Sequence, residues 1–149
     1  MYLDSGIIVK LLVRESDSLW FDAQLSGRDL TSSELALAEV RSALLAKERA
    51  GSISSAERGK AAEQFEDLVQ GKGIALLPLN RGVIERAGAM MQACHPRVPL
   101  RTLDAIHLAT CDLHRCKMLC ATDQRVRAAG EQFAMELFPE TIGEISKPT

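Results

Sequence analysis

The chain has 149 residues, the size of one ordinary domain, and 46% of them are apolar, so it can bury a core and disorder is excluded as the default reading. Its formal charge of -2 excludes binding of nucleic acid by bulk positive charge alone, while leaving room for a basic rim around a local acidic site. The four cysteines, Cys94, Cys111, Cys116 and Cys120, form no CxxC pair and have no histidine at ligand spacing, which argues against zinc and fits a reducing, cytoplasmic setting.

The opening MYLDSGIIVKLLVRES has its apolar run broken at Asp4 and Lys10, so no signal peptide is expected. No stretch of about 20 apolar residues suggests a membrane span. Repeats, low-complexity segments and linkers are lacking. The expectation is one domain over 1–149, with a core to about 139 and a tail over 140–149.

Met1-Tyr2-Leu3 reads as a short strand ending at Asp4, and Ile7, Ile8, Leu11 and Leu12 carry the spacing of a helix over 5–13. A second helix is predicted over 16–26, stopped by Gly27. Thr31 and Glu34 have the spacing of a capping box, opening a helix to about Ala50 with Gly51 as its stop. Ser54 and Glu57 repeat that signature for a helix ending at Gly71. Residues 73–78 read as a strand, 81–93 as a helix, 95–99 as a proline-containing loop and 101–115 as a helix. A buried strand over 118–122 ends at Asp123, and a short helix to Ala129 and a strand near 134–138 close the pattern. Short apolar strands alternating with helices give an α/β fold, a parallel sheet covered by helices on both faces. Such sheets bind ligands beyond the carboxyl ends of their strands, where Asp4 and Asp123 are expected.

Two further acids sit on helix faces that read as apolar. At about 100° per residue, Glu39 shares its face with Leu35, Ala36, Ala43 and Ala46, with no basic residue three or four positions away. An unpaired buried carboxylate takes up a proton or finds a cation, unless this helix face reaches solvent. Asp104 lies on a face with Leu100, Leu108 and Cys111, or is simply a first-turn acid complementing the helix dipole. Taken singly, Asp4 and Asp123 read more readily as helix N-caps than as ligands. Jointly, four convergent carboxylates need counterions, and an all-oxygen set suits Mg²⁺ or Mn²⁺. Such an ion activates water and stabilises a leaving oxygen, which points to phosphodiester hydrolysis.

These segments resemble the PIN domain over roughly 1–139, and within it the VapC toxins of bacterial and archaeal toxin–antitoxin modules. Tyr2-Leu-Asp-Ser5 is similar to that family's first strand and acid, and the segment from Ser33 to Arg41 to its second acidic motif. The segment from Leu100 to Ala109 is a close match to its third, and Ala121-Thr-Asp123 is similar to its fourth. The resemblance implies a three-layer α/β/α fold with a short central sheet, and a metal site of Asp4, Glu39, Asp104 and Asp123 supported by Ser5 and Thr122. It also implies a single-strand-specific endoribonuclease acting on loops of tRNA or rRNA, a homodimer, and a cognate VapB-like antitoxin that inserts a tail across the site. Gly6 and Val126 depart from the family pattern, where a small hydroxyl or alanine and an aromatic are common.

Arg14, Arg41 and Arg101, with Arg97, Arg125 and Arg127, lie near the acidic motifs in sequence and are candidates for phosphate contacts, although surface charge explains each one singly. Asp112 stands about 12 Å along its helix from Asp104, too far to share an ion, and reads as solvent-facing or supporting. His107, three residues after Asp104, reads as a packed or surface histidine, with a supporting role as the alternative. Two other function classes compete: a receiver-like signalling domain, which would want an acidic pair after the first strand and a late lysine, and a module that binds RNA or a partner without cutting.

Overall fold

A computed structural model describes residues 1–146. Five strands form one sheet: β1 (Tyr2–Leu3), β2 (Leu30–Ser33), β3 (Ile74–Leu77), β4 (Met118–Cys120) and β5 (Glu136–Phe138). Their order is β3-β2-β1-β4-β5, and every pair is parallel. Seven helices connect them: α1 (Ser5–Leu12), α2 (Ser18–Leu25), α3 (Ala36–Arg49), α4 (Ser55–Gln70), α5 (Arg81–Cys94), α6 (Thr102–Leu113) and α7 (Gln124–Gln132). Of the tail expected at 140–149, Ile142–Ser146 forms a 3-10 turn, and 147–149 lie outside the described residues.

Alternation along the strands sorts the helices into two layers, because successive strand side chains point to opposite faces. Tyr2 and Leu119 point into one core with Val83 and Met90 of α5, Leu108 of α6 and Val126 of α7. Leu3 and Cys120 point into the other, with Ile7 of α1, Phe21 of α2, Val40 and Leu44 of α3 and Phe65 of α4. Burial of both faces explains why β1 and β4 are short apolar runs. The three-layer α/β/α architecture expected from the sequence is present.

The sequence reading misses one strand. Thr31 is not an N-cap: it pairs with Tyr2 of β1 on one side and Ala75 of β3 on the other. The polar run Thr31-Ser32-Ser33 carries the spacing of a capping box, but sheet hydrogen bonding on both edges outweighs it. The buried hydroxyls are satisfied, Ser32 Oγ donating to Leu3 O at 2.8 Å and Ser33 Oγ accepting from Leu35 N at 3.2 Å. Glu34, freed from capping, accepts from Leu79 N at 2.9 Å and so ties the exit of β2 to the segment after β3.

Other punctuation behaves as read. Ser54 and Glu57 form a reciprocal capping box. Gly51 follows α3 at φ 71°, a conformation that a side chain disfavours. Helix α7 passes Ala129 and continues to Gln132 because Gly130 lets it sit close on β5; a Cβ there would lie 2.9 Å from Leu137 Cδ2.

Candidate metal centre

The sheet reverses its winding between β1 and β4, with β2 on one side of β1 and β4 on the other. Connections leave this point in opposite directions, opening a crevice at the carboxyl ends of the two strands. Asp4 follows β1 directly, and Asp123 lies three residues beyond β4. Glu39 and Asp104 come from the first turns of α3 and α6. The four acids, with Ser5 and Thr122, line one open cleft of about 410 Å³, completed by Gly6, Val9 and Ala43.

Each acid is held differently. Asp4 caps α1, its Oδ1 accepting from Gly6 N at 3.4 Å. Asp123 caps α7, its Oδ1 accepting from Arg125 N at 2.8 Å and Val126 N at 3.2 Å, while Oδ2 meets Arg125 Nη2 at 3.4 Å. Glu39 accepts on Oε2 from Ser5 Oγ at 2.7 Å and from His107 Nε2 at 2.5 Å. Asp104 Oδ2 is buried and has no hydrogen-bond partner among the described residues.

The electrostatics follow from these partners. Burial pushes the Asp4 carboxyl above its ordinary value, and the charges of Glu39 and Asp123 add to the rise, against opposing pulls from His107 and Gly6 N–H. Burial also raises Asp104, together with the charges of Asp123 and Asp4; Arg125 and Arg101 offset part of it. Burial would raise Glu39 too, but the hydrogen bonds from His107 and Ser5 outweigh it and hold this carboxyl below its ordinary value. Asp123 is likewise lowered, its desolvation being outweighed by Arg125 and two backbone N–H groups. One pair of acids is thus stabilised as carboxylates by the protein, and the other pair is under electrostatic stress.

The donor set fits a hard divalent ion. All the candidate ligands are oxygens, and an orphaned carboxylate oxygen is buried among them. Among the described residues, no three His, Cys, Asp or Glu side chains converge tightly enough to form a complete cage. Mg²⁺ dehydrates reluctantly and is typically held by one or two carboxylates, keeping several waters.

Several single-residue readings change. Glu39 does not lack a partner: His107, distant in sequence and only 2% exposed, supplies one. The α3 face beside Glu39 is not wholly buried either. Leu35, Ala43 and Ala46 line a groove with Leu103 of α6 that adjoins the cleft, and only Ala36 enters the core. Arg14 lies past the far end of α1 and Arg41 points to α4, where it pairs with Glu66 at 3.1 Å; neither lines the cleft. Arg101 is the N-cap residue of α6 and acts on Asp104 only through its charge. Arg127 is buried and donates to Ala121 O and Glu140 O, bracing the loop after β4. Asp112 pairs with Arg86 at 2.8 Å. Arg125 is the arginine beside the acids, and Tyr2, His107 and Ser5 form a polar network behind Glu39. The missing partner of Glu39 was a signal in the sequence; the identity of that partner was not.

Comparison with known proteins agrees with this architecture. The family profile described as PIN domain matches residues 1–132. The chain is 38% identical over 141 residues to Ribonuclease VapC46 of Mycobacterium tuberculosis (strain ATCC 25618 / H37Rv), covering 91% of this chain and 93% of that protein. It is 35% identical over 111 residues to Ribonuclease VapC45 of M. tuberculosis (strain CDC 1551 / Oshkosh), covering 74% of this chain and 73% of that protein. Ribonuclease VapC49 of strain ATCC 25618 / H37Rv shows the same identity and coverage. The matched segment carries all four acids, both core layers and the crevice between β1 and β4, and the chain belongs to the PIN-domain family, on its VapC branch.

Proposed function

We propose that the chain is a divalent-metal-dependent endoribonuclease of the toxin type, hydrolysing phosphodiester bonds in single-stranded loops of RNA such as tRNA or rRNA. The observation that carries this reading is the common cleft of Asp4, Glu39, Asp104 and Asp123, in which a carboxylate oxygen is buried without a partner. These four residues would hold Mg²⁺ or Mn²⁺, with Ser5 and Thr122 as polar supports. When bound, the ion supplies Lewis-acid polarisation of a phosphoryl oxygen and an activated water.

The chain's own residues divide the remaining work. Ser5 and His107 keep Glu39 ionised and oriented through its Oε2. Arg125, already beside Asp123, brings positive charge to the cleft and suits a phosphate oxygen of the RNA backbone. The cleft is open at the surface, which suits a splayed single strand whose unstacked nucleotides can enter it.

The branch to which the chain belongs supports a VapB-like antitoxin as its inhibitor, a homodimer as its assembly and the cytoplasm as its location. The apolar groove of Leu35, Ala43, Ala46 and Leu103 adjoins the acids and is where an inhibitory tail would pass. No helix among the described residues is long and apolar enough to cross a membrane.

The purified chain with Mg²⁺ or Mn²⁺ is expected to cut single-stranded RNA, and Asp4→Asn and Asp104→Asn to lose that activity. Equal cutting by the doubly substituted protein would remove the assignment.

A further inference from the structure

Behind the cleft runs a chain of hydrogen-bonded side chains, Tyr2, His107 and Glu39. His107 Nε2 meets Glu39 Oε2, and a carboxylate is acceptor-only, so the proton of the neutral imidazole sits on Nε2. Nδ1 is then the acceptor. Tyr2 is fully buried, with its hydroxyl 2.7 Å from Nδ1 and the Thr110 hydroxyl on its other side, and it donates to Nδ1. Ser5 Oγ donates to the same Oε2 and lies 3.0 Å from Nε2, closing a small ring of contacts. Both fixed donors fall on Oε2, and Oε1 has no protein partner among the described residues.

The backbone makes this arrangement rigid. Tyr2 is on β1 at the centre of the sheet, two residues before Asp4. His107 is on α6, three residues after Asp104, and its ring meets that of Tyr2 edge-on with centroids 5.8 Å apart. One relay thus ties together the strand carrying Asp4, the helix carrying Asp104, and the side chain of Glu39 on α3.

We propose that Tyr2 and His107 are positioning residues for the metal centre: they fix the His107 tautomer, lock Glu39 through Oε2, and leave Oε1 as the oxygen available to a divalent cation. This inference rests on the reading of the four acids as a metal site. Partners of this kind, one step behind the ligands, typically change metal affinity by about 10- to 100-fold when removed.

The test is Mn²⁺ binding by titration calorimetry on the folded protein, without RNA, joined to ¹⁵N NMR of the His107 ring. His107→Leu is expected to weaken Mn²⁺ binding by about tenfold or more. His107→Gln, which keeps an N–H donor near the position of Nε2, is expected to recover most of that loss. Tyr2→Phe is expected to weaken binding less, because the Glu39 carboxylate still holds the ring proton on Nε2. Wild-type affinity in His107→Leu would overturn the relay while leaving the metal site intact. Failure of the wild-type protein to bind Mn²⁺ would instead remove the metal reading on which the relay depends. Should His107→Leu not fold, the wild-type spectrum decides: a proton on Nε2 alone supports the relay, and one on Nδ1 overturns it.

Discussion

Replacing Asp104 by Asn should make the metal-free protein more stable while abolishing its proposed activity. Asp104 Oδ2 is buried without a partner, and the carboxyl is raised above its ordinary 3.8 by burial and by the charges of Asp123 and Asp4. The side chain is only partly buried, so solvent screens much of the charge, and about 1 kcal/mol is the gain expected from removing it. For a chain of this length that is roughly 2–4 °C in Tm.

The sign has a pH signature. A carboxyl whose folded pKa is raised destabilises the fold once it ionises, so the penalty is absent below the ordinary 3.8, grows as pH rises toward the folded value, and stays constant above it. Melting curves in chelator should therefore separate wild type and variant at neutral pH and converge in acid. Magnesium reverses the ranking: at a hundred times its dissociation constant it would add about 2.7 kcal/mol to the wild type and little to the variant. A variant that melts below wild type in chelator would refute the claim that Asp104 is under stress. Equal stabilisation of both proteins by magnesium would refute its role as a ligand.

Gly6→Ala should be tolerated at the mouth of the cleft, since a Cβ there would lie 3.8 Å from Asp4 Oδ2, an ordinary contact; α1 should gain a few tenths of a kcal/mol in urea denaturation, and a loss of stability would contradict this. Glu15 bridges Lys10 at 2.9 Å and Lys47 at 2.7 Å, and these partners outweigh its desolvation and hold it below its ordinary 4.5. A lowered carboxyl contributes stability above the ordinary value and loses it as pH falls through the folded one, so the deficit of Glu15→Gln against wild type should shrink below about pH 4.5 in acid titrations of stability; a deficit constant down to acid unfolding would contradict this.

What the sequence made legible follows from how each element is stabilised. β1, β3 and β4 are apolar runs whose residues and bounding Gly, Pro or Asp announce them, and α4 carries both halves of its cap within four residues. β2 was hidden because Thr31, Ser32 and Ser33 are stabilised by partners on β1 and β3, and local propensity records none of that. Glu39 and Asp104 were legible as acids on faces that read as apolar, and Asp4 and Asp123 as acids at strand ends, whereas their neighbours were not legible. Glu39 and His107 are 68 positions apart, and only the sheet order brings α3 and α6 to the same crevice.

The sequence posed Asp4 and Asp123 as either helix caps or ligands, and the geometry dissolves that choice. A carboxylate has two oxygens: Asp4 spends Oδ1 on Gly6 N and Asp123 spends Oδ1 on two backbone N–H groups, as Glu39 spends Oε2 on Ser5 and His107. Each of these three acids has one oxygen fixed by the protein, and in Asp123 the other also meets Arg125 Nη2 at 3.4 Å, so under the proposed reading one carboxylate would serve as both cap and ligand. Asp104 differs, with neither oxygen hydrogen-bonded among the described residues and one of them buried. Under the proposed reading, a divalent cation would give Asp104 the partner that the described residues do not supply. Substitutions should accordingly divide. Loss of Glu39 or Asp123 removes a carboxylate that hydrogen bonds hold in its charged form, lowering metal-free stability, whereas Asp4 and Asp104, both raised by burial, should cost less when lost. A metal-free melting series across Asp4→Ala, Glu39→Ala, Asp104→Ala and Asp123→Ala in which Asp104 falls as far as Glu39 and Asp123 would show that no such division exists.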